Sequence, residues 1–373
     1  MYITIKQRPK LEIKDVWEKI LTGVFTSSHD VMPHKTTGTV TRVVSVRRRI
    51  ACARQQADFA DKLKNIGEKY GHLADLPRDQ KWHRFYIPKS KGGRREINEP
   101  IGEMREALEA IKSAFESSWE ALYHTAAFAY VKGRSIKDAA YRHKDSNWFL
   151  KTDFSGFFPS INKEWTISML SNIIPFIGTN WKHPAIDAAM DLVFLDGGLP
   201  QGSPLSPMLT NIVMIPIDHA LFNAYAKRKL VYTRYADDIC ISGVEKFPKE
   251  EILQLIEDTL RKFQAPFRLK PEKTRYVTNK GANWNLGLMV NKDHKVTVGH
   301  YRKKDLKSSI CHFIQDYRNG RLWDVDVALE LQGRIAYFTM VERDYTHHLV
   351  SHLEQKFRFD LNSALKTCIN LSA

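Results

Sequence analysis

The sequence has few cysteines and no segment that predicts secretion or membrane insertion. Its four cysteines, Cys52, Cys240, Cys311 and Cys368, stand far apart without a CxxC pair, so neither a disulfide framework nor a cysteine zinc site is expected. No apolar run reaches the ~18 residues of a membrane span. The first residues, MYITIKQRPK, lack the apolar core of a secretory signal. The expectation is a cytoplasmic protein with reduced thiols.

Acidic residues are scarce relative to basic ones. Against 57 lysines and arginines there are 42 aspartates and glutamates, which gives a formal net charge of +15. Such an excess favours a polyanionic partner, most simply nucleic acid, over a basic protein with no such partner. Two basic stretches, RVVSVRRRIACAR at 42–54 and YRKKDLK at 301–307, lie near aromatic residues. Phosphate contacts and stacking surfaces are what a nucleic-acid cleft needs.

The chain also lacks internal repeats and long low-complexity segments. Its 373 residues, 43% of them hydrophobic, are enough for two or three subdomains. The apolar patterns predict helices over 1–80, 101–119, 250–263 and 326–341, and a turn that continues as an apolar helix over 198–217. They predict two strands within 84–100, others at 148–154, 231–235 and 239–242, and short strands that end near Val298. This mixed order indicates an α+β core.

Two adjacent carboxylates, Asp237 and Asp238, interrupt an apolar hairpin between the stretches VYTRYA and ICIS. Aspartate is common in exposed tight turns because its side chain bonds nearby backbone N–H groups. The apolar flanks instead predict a turn that packs on a core, where adjacent like charges repel each other and need a cation. Mg²⁺ is the expected ion, because it binds carboxylate oxygens together with substrate phosphates.

Another carboxylate, Asp153, ends the apolar stretch WFLKTDF at 148–154. A strand end fixes a side chain while the loop that follows leaves access to it. Three acids can hold two divalent ions, and two ions about 4 Å apart can activate an attacking hydroxyl and stabilise a leaving pyrophosphate. The sequence therefore predicts that Asp153, Asp237 and Asp238 hold two Mg²⁺ ions beside a nucleotide's phosphates.

The motif YADD at 235–238 resembles the catalytic turn of reverse transcriptases. Further segments over 84–300 are similar to that family's sequence blocks, in the family's order: IPKSKGGRREI, AYVKGRSI, KTDFSGFFPSI, GLPQGSPLSP, LKPEKT and NLGLMV. The resemblance implies an RNA-directed DNA polymerase with a right-hand polymerase fold. A helical N-terminal extension over 1–80 would precede fingers and palm over 81–300 and a mainly helical, RNA-binding thumb over 301–373.

The resemblance also implies roles for individual residues. Metal binding falls to Asp153, Asp237 and Asp238, with Asp237 the stronger ligand of the adjacent pair and the backbone carbonyl of Phe154 as an added ligand. The residues implied in binding the deoxynucleoside triphosphate (dNTP) are Lys89, Arg95, Phe158, Gln201, Gly202 and Lys273.

Three of these are cations that would contact the triphosphate. A planar guanidinium suits phosphate oxygens, which favours Arg95, with Arg94 the alternative if the turn is shifted by one residue. Lys89 could instead belong to a solvated basic loop. Lys273 matches a lysine near the leaving pyrophosphate, where it could act as an acid, or it is an ordinary surface lysine.

The other three would shape the nucleotide pocket. Phe158 matches a bulky residue under the sugar that excludes a 2′-hydroxyl, unless it is an ordinary core residue or Phe157 takes that place. Gly202 permits close backbone approach, and Gln201 can hydrogen-bond template or nucleotide.

Among reverse transcriptases, the compact bacterial retron enzymes look most similar. Their Asn-Ala-x-x-His element corresponds to AAYRH at 139–143, which has Ala139 in place of the asparagine, and NLG at 285–287 keeps only the glycine of their Val-Thr-Gly. His143 would contact RNA, or it is a hydrogen-bonded surface histidine. The thumb residues implied in facing RNA phosphates are Arg302, Lys303, Lys304 and Lys307.

A retron enzyme would bind its own structured noncoding RNA, prime from a guanosine 2′-hydroxyl and copy part of that RNA into DNA (msDNA). The RNA–DNA product would serve phage defence with an effector protein. One alternative is a defence reverse transcriptase with another noncoding RNA or priming mode. The other is a catalytically silent RNA-binding scaffold, which the three intact aspartates disfavour.

Overall fold

A computed structural model describes residues 39–89, 92–118, 123–279 and 286–370, with side chains from residue 54 onward. The chain divides into two compact units. The first takes the described residues of Met1–His124, with Gly156–Leu221 and Asp258–Arg268. The second takes Thr125–Ser155, Phe222–Glu257 and the described residues of Leu269–Ala373. Each unit is thus assembled from segments that are far apart in sequence.

The helices are α1 (Thr39–Tyr70), α2 (Arg78–Lys81), α3 (Gly102–Glu116), α4 (Ile136–Arg142), α5 (Phe157–Ser160), α6 (Lys163–Leu170), α7 (Pro184–Asp191), α8 (Ser206–Val213), α9 (Ile215–Ala226), α10 (Lys249–Lys262), α11 (His300–Arg318), α12 (Val325–Val341), α13 (Arg343–Phe357) and α14 (Leu361–Asn370). The strands are β1 (Trp82–Pro88), β2 (Arg94–Pro100), β3 (Trp148–Ser155), β4 (Val231–Tyr235), β5 (Asp238–Gly243), β6 (Arg268–Leu269), β7 (Arg275–Thr278), β8 (Met289–Val290) and β9 (Val296–Thr297). None of the helices in the described ranges is long and apolar enough to cross a membrane.

The first unit is built around an aromatic cluster. The ring of Phe59 on α1 lies 4.9 Å from that of Phe115 and 4.7 Å from that of Phe176, centroid to centroid. Helix α1 passes so close to α7 that a Cβ on Gly67 would lie 1.6 Å from the carbonyl oxygen of Ala185. The helix predicted over the N-terminal residues is confirmed from Thr39 to Tyr70, while residues 1–38 lie outside the described ranges.

Strands β1 and β2 form the predicted hairpin. They pair antiparallel from Trp82 opposite Pro100 to Pro88 opposite Arg94. In the turn, Gly93 has a φ of 82°, a left-handed value that glycine adopts readily. This hairpin presents a narrow two-stranded surface, on which most side chains of β1 are exposed.

The apolar segment at 198–217 differs from the single helix predicted for it. It contains α8, which ends at Val213, and the start of α9 at Ile215. Pro216 stands at the second position of α9, where its missing N–H is tolerated because first-turn N–H groups lack helical partners. Helices α6 and α7 have eight residues each and were not predicted, because so short an apolar pattern is ambiguous.

The sheet of the second unit has the order β4-β5-β3-β6, and β7 also pairs with β3. Strands β3 and β5 run antiparallel, with Asp153 opposite Asp238 and Lys151 opposite Cys240. Directly opposed residues of an antiparallel pair point to the same face, and alternate residues to opposite faces. One face therefore carries both acids, and the alternating residue Leu150 is buried on the other.

The chain from His300 to Asn370 is mostly helical, as predicted. Helices α11 to α14 enclose an apolar core that includes Leu306, Phe313, Leu331, Phe338 and Leu353. The division of the chain at residues 80 and 300 stays a prediction.

Candidate active site

The acidic turn joins β4 to β5. Ala236 has a φ of 56°, a left-handed conformation that costs a non-glycine residue about 1–2 kcal/mol. Arg234, which is fully buried, donates from Nη1 to the carbonyl oxygen of Ala236 at 3.1 Å. Phe154 donates its backbone N–H to the carbonyl oxygen of Asp237, also at 3.1 Å. Neighbouring strands therefore hold this turn in a conformation that it would not favour alone.

Asp153 is the buried carboxylate of the site. It is 2% exposed and lies opposite Asp238 in the sheet. Its Oδ2 forms an ion pair with Nζ of Lys273. Its Oδ1 is buried and has no hydrogen-bond partner in the described ranges. Burying a charged oxygen without a hydrogen-bond partner costs free energy, and a ligand bound to this atom would offset that cost.

Lys273 reaches Asp153 because the chain after β6 is tied to β3. Lys270 donates its backbone N–H to the carbonyl oxygen of Asp153 at 2.8 Å, and the short 3₁₀ turn Pro271–Lys273 follows. The family resemblance implies a place for Lys273 near a leaving pyrophosphate, but nothing in the sequence indicated this contact with a carboxylate. The two residues are 120 positions apart in the chain.

Lys151 is a charged neighbour that the sequence reasoning missed. Desolvation lowers the pKa of Lys151 to about 8, against the opposing influence of Cys240 and Asp238. Its place two residues before Asp153 in LKTD is the signal that could have revealed it, because such residues share one face of a strand. Lys151 therefore supplies positive charge on the same face as Asp153.

The carboxyl group of Asp238 has an altered acidity. Desolvation, and second the charge of Asp237, raise the pKa of Asp238 to about 6, while Lys151 opposes the shift. Asp238 is nevertheless exposed, so solvent screening weakens this shift. The adjacent acids thus differ from the buried Asp153, which is fixed by an ion pair.

These residues fit a divalent cation by donor type, but not as a ready-made cluster of three acids. Within the ranges that the structure describes, no three Asp, Glu, His or Cys side chains lie close enough to hold one ion. The sheet register does place Asp153 opposite Asp238, next to Asp237 in the turn, so their joint role as metal ligands stays a prediction. Carboxylate oxygens remain the ligands that Mg²⁺ prefers, and the unpartnered Oδ1 of Asp153 is an atom that a cation would satisfy.

In the first unit, the turn with Gln201 and Gly202 docks on β2. The carbonyl oxygen of Gln201 accepts the backbone N–H of Asn98 at 2.7 Å. Gly202 has a φ of 113°, and a Cβ there would lie 2.7 Å from the carbonyl oxygen of Asn98. Only glycine permits this approach. Arg95 lies on the same strand, so the structure brings three of the sequence-predicted residues to β2.

Lys89 and Arg95 occupy the hairpin itself. Both side chains are exposed, and Lys89 donates its backbone N–H to the carbonyl oxygen of Gly93 at 3.0 Å. Neither cation has an ion pair with a described residue. Their charge is therefore available to an anionic ligand.

Phe158 is the more accessible of two adjacent phenylalanines in α5. Phe157 is 3% exposed and packs against Phe267 with ring centroids 5.0 Å apart, whereas Phe158 is half-buried. The carbonyl oxygen of Phe158 accepts the backbone N–H of Leu199 at 3.1 Å. This bond ties α5 to the segment that continues into Gln201.

Comparison with known proteins gives this geometry its context. A family model described as reverse transcriptase (RNA-dependent DNA polymerase) matches residues 87–313. The retron Ec73 reverse transcriptase of Escherichia coli is 30% identical over 288 residues, which cover 74% of this chain and 86% of that one. This chain belongs to the reverse transcriptase family.

Further similarities are found to a second retron enzyme and to a solved structure. The retron Mx162 reverse transcriptase of Myxococcus xanthus is 30% identical over 279 residues, which cover 69% of this chain and 57% of the relative. Apo telomerase from Candida tropicalis, truncated from its C-terminal domain, aligns with a TM-score of 0.41 at 16% identity, over 60% of this chain and 56% of that one. The relatives support a retron-type RNA-directed DNA polymerase with the α+β fold of reverse transcriptases.

His143 of this reverse transcriptase does not face RNA. It is 1% exposed, and its Nδ1 and Nε2 hydrogen-bond Oγ of Ser242 at 2.6 Å and Oγ1 of Thr233 at 2.7 Å. Desolvation, and second the charge of Lys151, lower the pKa of His143 to about 3. The expected RNA contact at His143 is therefore wrong, because the end of α4 turns the ring into the sheet, where it links β4 to β5.

Lys303 is also engaged within the protein. Its Nζ pairs with Oε1 of Glu342 at 2.5 Å and lies 4.3 Å from the ring centroid of Tyr345. This corrects the expectation of a phosphate contact, because two partners already hold the ammonium. Lys303 instead ties α11 to the junction of α12 and α13.

The remaining thumb cations lie on the outside of α11. Lys304 and Lys307 are exposed. Arg302 is exposed as well, and its Nη1 donates to the carbonyl oxygen of Gly287 at 2.6 Å. The described surface of α11 therefore offers Lys304 and Lys307 most directly to an anionic partner.

Proposed function

We propose that this retron-type enzyme binds a cognate structured noncoding RNA and copies part of it into DNA by two-metal nucleotidyl transfer. The observation that carries the proposal is Asp153. It is a buried carboxylate with one unpartnered oxygen, opposite Asp238 on the strand that begins at the YADD turn. Burial of such an acid is costly unless a cation binds it.

The aspartates would hold the two Mg²⁺ ions. Asp237 is the stronger candidate of the adjacent pair, and the backbone carbonyl of Phe154 would complete a shell. When bound, the ions would activate the attacking hydroxyl and stabilise the leaving pyrophosphate. Arg234 would position Asp237 for this chemistry, because it donates a hydrogen bond to the carbonyl oxygen of Ala236, one residue earlier.

The incoming dNTP would be bound by residues of the first unit. Arg95 and Lys89 would contact the phosphates, for which exposed cations are suited. Gln201 and Gly202 would line the nucleotide or the primer–template, since their turn is fixed on the strand of Arg95. Phe158 would exclude a 2′-hydroxyl, which favours a DNA product.

Lys273 would have two partners in turn. In the described structure its ammonium pairs with Asp153. During catalysis it would release that carboxylate and donate a proton to the leaving pyrophosphate oxygen, the task of a general acid. Until substrate arrives, this ion pair would hold Lys273 beside Asp153.

The helical segment over 301–373 would act as the RNA-reading thumb, with Arg302, Lys304 and Lys307 facing phosphate. Residues 1–80 would form an extension, and 81–300 the fingers and palm. The RNA–DNA product would serve phage defence with an effector protein in the cytoplasm.

Nucleic acid that co-purifies with the protein tests this proposal. The gene is expressed with its native flanking DNA, and the bound nucleic acid is treated in separate portions with RNase, DNase and debranching enzyme. We expect DNA joined to RNA through a 2′–5′ branch, absent from Asp237→Asn and present in the matched surface variant Asp293→Asn. This outcome would establish retron synthesis.

Two other outcomes define the alternatives. Unbranched DNA that still requires Asp237 would keep the polymerase and move the protein to another class of defence reverse transcriptase. RNA without DNA, in both the unchanged protein and Asp237→Asn, would contradict the polymerase and leave an RNA-binding scaffold.

A further inference from the structure

Helix α12 is apolar on the side that it turns toward the bundle. Its buried residues there are Ala328, Leu331, Phe338 and Val341. In a surface helix the opposite side is normally polar, whereas a helix that is apolar all round is typically buried. The polarity of the outer side of α12 therefore indicates whether this helix packs only against its own chain or also against a partner.

The outer side of α12 carries a second apolar stripe. Leu329 is 45% exposed and Met340 39% exposed, and Gly333 and Ala336 between them are exposed too. Their spacing of four, three and four residues is the repeat by which helices pack side by side. No heavy atom of the described residues lies within 4 Å of the place where a Cβ on Gly333 would stand, so these residues leave the middle of the stripe open.

We propose that this stripe, Leu329, Gly333, Ala336 and Met340, docks antiparallel on the same stripe of a second copy of the chain. A two-fold axis between Gly333 and Ala336 places Gly333 of one copy against Ala336 of the other. The same axis places Leu329 of one copy against Met340 of the other. A two-fold interface requires such self-complementarity, with small residues at the centre allowing close approach and large ones flanking them.

Charge at the two ends of the stripe supports the antiparallel direction. Asp326 is exposed one turn before Leu329, and Arg343 is exposed just after the C-terminal end of α12. Neither has an ion pair with a residue in the described ranges. The same two-fold axis pairs Asp326 of one copy with Arg343 of the other. Nζ of Lys137, which donates to the carbonyl oxygen of Met340 at 3.1 Å, adds positive charge at that end.

The composition of this surface favours a protein over RNA. Arg334, the arginine within α12, pairs with Asp305 at 2.5 Å. Asp326 and Glu330 stand exposed beside the stripe and would repel phosphates. Lys304 and Lys307, the exposed cations suited to RNA, lie on α11 instead.

The first test is the molecular mass of the full, nuclease-treated chain across a concentration series, measured by sedimentation equilibrium. We expect a reversible dimer. Leu329→Glu should raise its dissociation constant at least about tenfold, since it buries a charge in the contact. Val327→Glu is the matched control, because Val327 is also 45% exposed but lies well away from the stripe around the helix. A monomer at all concentrations would overturn the proposal, as would equal effects of the two variants.

A charge exchange tests the direction of pairing. Asp326→Arg and Arg343→Asp should each weaken the dimer, because each places like charges opposite one another, and the double variant should restore it. If the double variant is as weak as the sum of the singles, the antiparallel register is wrong. These readouts do not depend on DNA synthesis, so they can fail while the proposed polymerase holds.

The rival occupant is nucleic acid. If Leu329→Glu lost its co-purifying RNA while the mass of the nuclease-treated chain stayed that of a monomer, the stripe would bind RNA and the proposal would be overturned. Retention of RNA with loss of the dimer is the result that supports it. Circular dichroism of each variant checks that the helical content of the chain is unchanged.

Discussion

The two regions that carry the predicted chemistry are built in opposite ways. In the second unit, Asp153 is buried and paired, and the turn before Asp238 is held by Arg234. In the first unit, Lys89 and Arg95 stand exposed on a two-stranded hairpin. Groups that stabilise a transition state gain from being fixed beforehand, whereas groups that capture a mobile substrate must be open to it. Damage to the fixed region should therefore cost more activity.

The largest effect should come from the acidic turn. Asp237→Asn should lower DNA synthesis by at least about 10³-fold, which corresponds to about 4 kcal/mol of transition-state stabilisation. Asp238→Asn should cost less, because Asp238 is exposed and the weaker candidate ligand. Single-nucleotide incorporation on an RNA template measures both. Equal losses would show that the two acids share one role.

Lys273→Met should lower kcat by about 10²-fold, the contribution of a positioned general acid. Lys273→Arg should keep the ion pair with Asp153 and therefore bind substrate better than Lys273→Met does. Its kcat should still fall, because a guanidinium does not release a proton as readily. The pH profile of kcat separates the two roles, since only loss of the acid removes its alkaline limb. An unchanged kcat in Lys273→Met would make the contact purely structural.

Arg234→Met should lower kcat by about 10-fold or more. Without Arg234, the left-handed conformation of Ala236, which costs about 1–2 kcal/mol, would no longer be stabilised, and Asp237 would lose its position. Ala236→Gly removes the strain itself, so the same arginine substitution should cost less in that background. Melting temperatures of all four proteins control for loss of folding. Strictly additive effects would contradict the idea that Arg234 acts through Ala236.

In the open hairpin, Arg95→Ala should raise KM for dNTP by about tenfold, the equivalent of one hydrogen-bonded charge contact of about 1.4 kcal/mol. Lys89→Ala should raise it less, because an ammonium makes a single flexible contact. Steady-state kinetics with varied dNTP test this. A loss confined to kcat would place Arg95 in the fixed region instead.

The last prediction concerns the dependence of stability on pH and not the rate of synthesis. The pKa of His143 is lowered from 6.5 to about 3, so between those values the unfolded chain binds a proton that the folded chain does not. Stability should therefore fall as pH falls through this window, by up to about 1.4 kcal/mol per pH unit. His143→Gln should have a lower free energy of unfolding at pH 7, and this free energy should depend less on pH below 7. Urea denaturation measures it for both proteins, and an equal dependence on pH would contradict this account.

The comparison also shows what the sequence could predict. Period-two and helical patterns identified β1 to β5 and the bundle from His300, because burial on one face leaves a regular trace. The acids at Asp153, Asp237 and Asp238 were found because charge at the end of an apolar strand is unusual. Their register across β3 and β5 followed only from the folded sheet.

What the sequence could not predict are contacts between distant segments. The pairing of Lys273 with Asp153 and the burial of His143 depend on how strands and helices meet, and no local spacing encodes either. The RNA contact of His143 was implied by the local motif AAYRH, which carries no information on the strands that bury this side chain. Arg234 was visible as a charge within VYTRYA, but its hydrogen-bond partner at Ala236 depends on the shape of the turn.

The most direct test of the catalytic account is DNA synthesis by the purified chain on an RNA template in Mg²⁺, compared between the unchanged protein, Asp153→Asn and the surface control Asp145→Asn. The account predicts templated DNA from the unchanged protein and from Asp145→Asn, with none detectable from Asp153→Asn although that variant remains folded. Comparable synthesis by Asp153→Asn would contradict it, because the buried carboxylate would then not be the centre of the site.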